Sequence, residues 1–142
     1  MAEMLRVEVV SPERVLFSGE ADMVITRTLL GGEIAFQAGH AAFLGALVEN
    51  HTRIFLSGGD VKDVAVHRGF VEVSGNPTVV SILSDTAELS DEIDVDRAKA
   101  ALDRHEETLR QEHDEDVLTG AFAGKARAEA RLAATRTGFP GF

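Results

Sequence analysis

The chain has 142 residues, which allows one buried core and at most a small appendage. Its formal net charge of −10 argues against general nucleic-acid binding, because that function needs basic side chains to displace phosphate counterions. The absence of cysteine excludes disulfides, thiolate zinc sites and cysteine nucleophiles, and no run of about 18 apolar residues is present that could insert into a membrane.

Strand patterns fill the chain from Leu5 to about Leu83. Short segments rich in Val, Ile and Phe are separated by turn residues, and they read LRVEVV, ADMVITRTLL, HTRIFLS, DVAVH, FVEVS and PTVVSILS. Gly58-Gly59-Asp60, between two of these segments, is the clearest hairpin signal. Many short strands with no helix between them predict an antiparallel β-sandwich or barrel over residues 1–87.

Helical spacing replaces strand alternation after Ala87. Five side chains then recur every three or four residues and share one helical face: Val95, Ala98, Leu102, His105 and Leu109. This first helix is predicted to end near 114–116. A second, alanine-rich helix is predicted from about Ala121 and is weakened by Gly120 and Gly124. Together they predict a two-helix antiparallel hairpin over residues 88–142.

The second helix has little apolar area to bury. Its inward face consists of Leu118, Ala121, Ala128 and Leu132. Burial stabilises by roughly 25 cal/mol per Å² of apolar surface, so small side chains contribute little. We therefore expect the hairpin to depend on a partner surface or a ligand, and to move as an appendage of a rigid β domain.

No catalytic constellation is found in the sequence. The five histidines are scattered, and neither a G-x-S-x-G motif nor a zinc-binding or EF-hand spacing occurs. Gly31-Gly32 lacks the Gly-Lys-Ser/Thr ending of a phosphate loop. The acidic run at 113–116 could attract a divalent cation, but a solvated turn between helices is the simpler interpretation. We expect a protein without catalytic residues or a resident metal.

Four arginines of the hairpin could converge on one site. Arg97 and Arg104 are two turns apart on the first helix, and Arg127 and Arg131 are one turn apart on the second. If the helices fold back about a turn at 114–119, these pairs reach similar levels. Such a cluster repels itself unless carboxylates or a bound anion lie among its members, and guanidinium groups suit phosphate oxygens.

Two carboxylates stand at the entrance of the first helix. Glu88 and Asp94 could accept hydrogen bonds from the base or ribose of a nucleotide. The simpler alternative is that Asp94 caps the helix, while Arg97 and Arg104 pair with neighbouring carboxylates or face solvent. Spacing alone does not decide between a ligand site and a capped helix.

Short motifs follow one another in a characteristic order. They are VVSPE (9–13) with FSG (17–19), GEI (32–34) with GH (39–40) and Leu44, GFVEV (69–73), and VSIL (80–83) with DTAE (85–88). Each is modest alone, but together they make the chain resemble the epsilon subunit of bacterial F-type ATP synthases over essentially its whole length. The resemblance implies an N-terminal β-sandwich followed by a helical hairpin.

The resemblance also implies a function. Subunits of this family are non-catalytic parts of the central stalk, or rotor, and couple c-ring rotation to the catalytic head. The implied partners are the gamma subunit and the c-ring, and also the alpha/beta head when the hairpin extends and inhibits ATP hydrolysis. The implied location is the cytoplasmic face of the plasma membrane, peripheral through the complex, with Glu33, Gly39 and His40 near the rotor contact.

A nucleotide motif of the family is present in full. The segment IDVDRA (93–98) matches the pattern I/L-D-x-x-R-A, which binds ATP in several members. Residue by residue, the resemblance implies an ATP site made of Glu88, Ile93, Asp94, Arg97, Ala98, Arg104, Arg127 and Arg131. ATP would be a regulatory ligand, with or without Mg²⁺, and no cofactor would be obligatory.

Two alternatives and two departures from the family remain. The chain could be a purely structural rotor subunit that binds no nucleotide, or a free-standing ATP-sensing module. Ala35, Ala38 and Ala42 replace a glycine and two prolines of the family's rotor-contact loop, so fewer backbone positions are locked there. The C-terminal helix carries few cations with which to dock on an acidic catalytic head.

Overall fold

The computed structural model describes residues 3–135, so Arg136 and the segment 137–142 lie outside the described residues. Eight strands come first: β1 Leu5–Val10, β2 Val15–Ala21, β3 Met23–Thr28, β4 Gly32–Phe36, β5 Phe43–Leu47, β6 Asn50–Phe55, β7 Val61–Ser74 and β8 Val79–Leu89. A short 3₁₀ helix at Ser90–Glu92 leads into the helices α1 Val95–Gln111 and α2 Glu115–Ala134.

The strands form a continuous sheet that folds around one core. The strand order is β2-β1-β8-β7-β5-β3-β4, and β6 pairs with both β3 and β7. The pairs are antiparallel except for β1 and β8, which run parallel. The β-sandwich followed by two helices is therefore confirmed, with one parallel pair that the strand patterns did not predict.

The core alternates with the outer face along each strand. The inward side chains of β1 and β8, among them Val7, Val9, Val80 and Ile82, are fully buried together with Phe36. Their neighbours along the strands point outward, as the period-two pattern predicts.

Strand β7 contains two segments, DVAVH and FVEVS, that the sequence analysis treats as separate strands. Its first part pairs with β6 and its second part with β5, so the strand belongs to both layers. The bend lies at Arg68 and Gly69, which have φ angles of 58° and 134°. The buried Ser84 hydroxyl donates a hydrogen bond to the Arg68 carbonyl oxygen at 3.0 Å and so supports the bent backbone.

Three strands were not predicted: β2, β4 and β5. Each contains a glycine, which interrupts the alternation of apolar side chains from which strands are recognised. The predicted hairpin at Gly58-Gly59-Asp60 is confirmed, because it joins β6 to β7 and both glycines have positive φ.

The helical hairpin turns earlier than predicted. The connection comprises Glu112–Asp114, so the predicted turn at 114–119 and the predicted start of the second helix near Ala121 are wrong. The cause is the Asp114 carboxylate, which accepts hydrogen bonds from the backbone N–H groups of Asp116 and Val117 and starts α2 at once.

Helix α2 lies between α1 and the sandwich. One side packs against α1, where Ala98 and Leu102 meet Ala128 and Leu132. Another side packs on β6 and β7, and its close contact depends on small side chains, since Ala130, Ala133 and Ala134 are buried. The thin apolar face predicted for α2 is thus complemented by a second face, and the sandwich supplies the partner surface.

The junction of the two parts falls within continuous structure. β8 extends to Leu89, past the predicted boundary between residues 87 and 88, which stays a prediction. Within residues 3–135, no helix is both long and apolar enough to cross a membrane.

Candidate functional site

A cleft of about 550 Å³ lies between α1, α2 and the end of β8. Seven of the eight predicted ATP-site residues line it: Glu88, Asp94, Arg97, Ala98, Arg104, Arg127 and Arg131. The eighth, Ile93, packs away from the cleft in a small apolar cluster with Ala65 and Ala134. Ile93 therefore fixes the start of α1 against α2 and the sandwich.

Three of the four arginines carry uncompensated charge. Within residues 3–135, the guanidinium groups of Arg97, Arg104 and Arg127 make no hydrogen bond or ion pair with the protein. The nearby carboxylate of Glu107 pairs with Arg110 instead. These three guanidiniums therefore have no direct carboxylate partner among the described residues, although Glu88, Glu92 and Asp94 also line the cleft.

Asp94 acts as the predicted helix cap. Its Oδ1 accepts a hydrogen bond from the Arg97 backbone N–H at 3.0 Å, which satisfies one unpaired donor of the first turn of α1. The other carboxylate oxygen makes no hydrogen bond within the part of the chain that the structure describes. Asp94 can therefore cap α1 and still accept a hydrogen bond from a ligand.

Glu88 joins the sandwich to the hairpin. Its Oε1 accepts hydrogen bonds from Arg131 Nε at 2.6 Å and from His67 Nε2 at 3.3 Å. His67 is almost fully buried, and its hydrogen bond to Glu88, together with that from Arg131, lowers the pKa of the Glu88 carboxyl to about 2 despite partial burial. The ionised carboxylate thus holds α2 on β7 and β8.

We expect Glu88→Gln to destabilise the protein in a pH-dependent way. The native pKa of Glu88 lies below its ordinary value of 4.5, so its contribution is complete above that pH and is lost as the pH falls toward 2. The side chain is 27% exposed, so we expect a loss of about 1–2 kcal/mol near neutral pH, less than the full pKa change implies.

Urea unfolding of wild type and Glu88→Gln, followed by the helical circular dichroism signal, measures this difference. The difference in the free energy of unfolding between the two proteins should be smaller at about pH 3 than at about pH 7. A difference in unfolding free energy that is the same at both pH values would contradict the docking of α2 by an ionised Glu88 carboxylate.

Sequence reasoning missed five residues that line the cleft: Glu92, Ala100, Ala101, His105 and Gly124. Both Nη atoms of Arg14 donate hydrogen bonds to the Glu92 carboxylate, at 2.6 and 2.8 Å, and this pair ties the 3₁₀ helix to the β1–β2 turn. His105 and Gly124 face each other across the two helices, and a Cβ on Gly124 would lie 2.4 Å from the His105 ring. A glycine inside a helix, opposite a histidine on the apolar face, is the signal that could have revealed this pair.

The predicted rotor-contact residues lie apart from the cleft, along β4 and the loop that follows it. Glu33 interacts with Arg27 and Arg53 at 3.6 and 3.4 Å. The Gly39 N–H donates to Thr78 Oγ1 at 2.8 Å, and His40 Nδ1 donates to the Ala41 carbonyl oxygen at 2.7 Å. The His40 ring packs edge-on against Phe36 and Phe43. The loop with the three alanine replacements is thus fixed by contacts rather than by proline.

The acidic run at 113–116 covers the end of the helix connection and the first residues of α2. Among residues 3–135, no three His, Asp or Glu side chains are grouped so that they could hold a metal ion. Asp114 caps α2, which agrees with the interpretation of this run as a turn between the helices.

Comparison with known proteins identifies the family. Residues 4–90 match the family model described as ATP synthase, Delta/Epsilon chain, beta-sandwich domain. The ATP synthase epsilon chain of Thermobifida fusca is 40% identical over 135 residues, which is 94% of this chain and 94% of that one. The chain belongs to the ATP synthase epsilon-chain family.

Another epsilon chain and two solved structures agree with this assignment. The epsilon chain of Brevibacillus brevis is 45% identical over 111 residues, or 78% of this chain and 82% of that one. A chain of the Euglena gracilis mitochondrial ATP synthase, solved as OSCP, F1 and c-ring, superposes with a TM-score of 0.81 at 22% identity, covering 92% of this chain and 81% of that one.

A chain of the Tetrahymena thermophila mitochondrial ATP synthase, solved as central stalk and c-ring, gives a TM-score of 0.61 at 17% identity. It covers 94% of this chain and 98% of that chain. Both structures share the fold of the epsilon-chain family member described here. The epsilon chain is a non-catalytic subunit of ATP synthase, so the family assignment confirms that this chain is not itself an enzyme.

Proposed function

We propose that this chain is a rotor subunit of an F-type ATP synthase whose hairpin binds ATP in the cleft between α1 and α2. One observation supports the nucleotide site: Arg97, Arg104 and Arg127 line the cleft, and none of them pairs with a carboxylate in the part of the chain that the structure describes. Converging unpaired guanidiniums favour a polyanion, and a phosphate chain offers the oxygen pairs that fit their planar forks.

The opposite side of the cleft suits a nucleoside. Asp94 has one free carboxylate oxygen, and Glu88 lies beside it at the end of β8. Ala98, Ala100 and Ala101 contribute small side chains to the α1 side, beside Arg97, Arg104 and His105. ATP would bind there as a regulatory ligand, with or without Mg²⁺.

The regulatory mechanism is a shift between hairpin states. ATP that bridges α1 and α2 cancels the repulsion among the arginines and stabilises the hairpin docked on the sandwich. Without ATP the repulsion returns, and the extended hairpin reaches the alpha/beta head and inhibits ATP hydrolysis. ATP changes the balance only to the extent that it binds the docked state more tightly than the extended one.

Calorimetric titration of the isolated protein with ATP and with ADP tests the nucleotide site. We expect saturable ATP binding that is tighter than ADP binding, because the terminal phosphate adds contacts with the unpaired arginines. The absence of binding at millimolar ATP would favour the second candidate, a purely structural rotor subunit. The Glu88–Arg131 ion pair supports that candidate, since it docks α2 without a ligand.

An apolar stripe on the outer face of the sandwich supports assembly. Strand register aligns one residue from each of five strands across this face: Ala46, Phe70, Leu83, Val10 and Val15. Phe70, Leu83 and Val15 are 56%, 54% and 61% exposed, and a shallow hollow of about 480 Å³ lies beside Phe70. A contiguous exposed stripe of this kind is typical of a protein interface. We assign it to the gamma subunit, which a free-standing ATP sensor would not need.

Introducing charge into the stripe should prevent assembly. We expect Phe70→Glu with Leu83→Glu to reduce binding to the gamma subunit by about a hundredfold or more, because buried unpaired carboxylates are costly. Folding should be retained, since both side chains are more than half exposed. Val117→Glu, at the start of α2, is the matched control and should bind normally in the same co-purification assay. Normal binding of the gamma subunit by the double variant would show that this face is not the interface.

The remaining partners and the location follow from the same proposal. The c-ring contact involves Glu33 in β4 and Gly39 and His40 in the loop that follows. The subunit is then peripheral to the cytoplasmic face of the plasma membrane and is held there by the complex.

A further inference from the structure

His105 lies at the closest approach of the two helices. It lines the cleft from α1, and its ring occupies the space that the absent side chain of Gly124 leaves on α2. A Cβ at position 124 would be 2.4 Å from both Cε1 and Nε2 of the ring, which is too close for any contact between atoms. Glycine at position 124 lowers the helix propensity of α2, but it leaves room for the His105 imidazole in the cleft.

The surroundings of the ring are positively charged. Arg104 precedes it on α1, and Arg127 faces it from α2. Burial, and then these two arginines, lower the pKa of the His105 imidazole, so the neutral form is favoured in the empty cleft. Its ring nitrogens make no hydrogen bond with the protein within residues 3–135.

The other charged groups of the cleft do not offset this field at the ring. Arg97 adds further positive charge, whereas Arg131 is paired with Glu88. Among the carboxylates, Glu88 and Glu92 are engaged by Arg131 and Arg14, and Asp94 caps α1. The imidazole thus lies beside Arg104 and Arg127, with both ring nitrogens free of hydrogen bonds to residues 3–135.

We propose that His105 is a further ligand-binding residue of this cleft, and that it takes up a proton when a polyphosphate chain binds between Arg104 and Arg127. The inference rests on the proposed ATP site and adds proton dependence to it. A bound polyphosphate reverses the sign of the local field, and an imidazolium N–H donates a strong, charge-assisted hydrogen bond to a phosphate oxygen.

Proton uptake has a defined effect on affinity. The pKa of His105 is low in the empty cleft and rises when the anion binds. Between these two values the complex holds a proton that the free protein lacks, so ATP binds more tightly as the pH falls. At a fixed ATP concentration, acidification then favours the docked hairpin.

The test compares ATP affinity at about pH 8 and about pH 6 in wild type and His105→Gln, by calorimetry. Glutamine keeps hydrogen-bonding groups but cannot titrate. We expect the dissociation constant of wild type to fall by roughly three- to tenfold more than that of His105→Gln over this range, as one rising histidine pKa predicts. ATP itself titrates in this range and affects both proteins alike. The result is therefore the difference between the two proteins in how the dissociation constant changes with pH.

His113→Gln is the matched control, because His113 is exposed in the helix connection. It should behave as wild type. Titration of wild type in two buffers of different ionisation enthalpy should also show extra proton uptake that is absent from His105→Gln.

Each outcome separates the two proposals. If wild type and His105→Gln bind ATP with the same pH dependence, the role of His105 is overturned and the ATP site stands. If wild type binds no ATP at either pH, the site itself is overturned. Should His105→Gln fail to fold, NMR titration of the wild-type His105 Cε1–H with and without ATP decides, and a pKa that ATP does not raise overturns the inference.

Discussion

Replacing both Arg97 and Arg127 by alanine is expected to abolish measurable ATP binding. Each guanidinium lines the cleft from a different helix and has no protein partner within residues 3–135, so the variant removes ligand contacts alone. A hydrogen bond between charged groups contributes about 1.5–3 kcal/mol, so the loss of two should weaken binding by at least about a hundredfold. Calorimetric titration measures the effect.

Arg110→Ala is the control for this variant. Arg110 belongs to the same helix but pairs with Glu107, outside the cleft. It should bind ATP as wild type does. Wild-type affinity in the Arg97/Arg127 double variant would remove these arginines from the site. Arg131 is less suitable for this test, because its alanine variant would also release Glu88 from the hairpin.

Gly69→Ala is expected to destabilise the sandwich by about 3 kcal/mol or more. Gly69 has a φ of 134°, and a Cβ there would lie 1.9 Å from the Leu83 carbonyl oxygen and 2.8 Å from the Ser84 Cα. Both atoms belong to the backbone of β8, so they cannot move without breaking the β7–β8 pairing. Urea unfolding measures the loss.

Gly58→Ala separates the effect of φ from that of close contact. Gly58 has a φ of 90°, but no atom lies within 4 Å of a Cβ built there. We expect a loss of only about 1–2 kcal/mol, the cost of a left-handed conformation for a residue with a Cβ. Equal losses of unfolding free energy in Gly69→Ala and Gly58→Ala would contradict the claim that close contact with β8 requires glycine at the β7 bend.

The sandwich was predictable because its inner and outer faces alternate along most strands. The period-two pattern identifies β1, and the Gly58–Gly59 turn identifies the β6–β7 hairpin. The joining of two segments into β7 was not predictable, since Arg68 adopts a positive φ that few side chains adopt and that only the surrounding pairing stabilises. The parallel pairing of β1 with β8 depends on contacts between distant segments, which local patterns do not report.

The site was predictable as a set of residues but not as a set of contacts. Helical spacing and the family motif together named seven of the twelve residues that line the cleft. Spacing does not report which carboxylate an arginine meets, so the pairing of Arg131 with Glu88, and the lack of partners for Arg97 and Arg127, needed the structure. Ile93 is part of the motif, yet its buried position makes it an anchor of the hairpin.

Glu88 contributes to docking of the hairpin without a ligand, and the proposed response to ATP has to be compatible with this contact. In the structure its carboxylate holds Arg131, so one of the four arginines is already neutralised. If ATP binds in this cleft as proposed, the other three arginines are left to meet its phosphates, and the Glu88–Arg131 pair already holds the docked hairpin.

The most direct test of the account is amide hydrogen exchange across the whole chain, with and without saturating ATP. If ATP stabilises the docked hairpin, exchange in residues 95–134 should slow by about tenfold or more, while exchange in the core strands of the sandwich stays unchanged. Exchange in the hairpin that ATP does not alter would contradict a nucleotide-dependent hairpin and leave a rotor subunit whose helices are held by the sandwich alone.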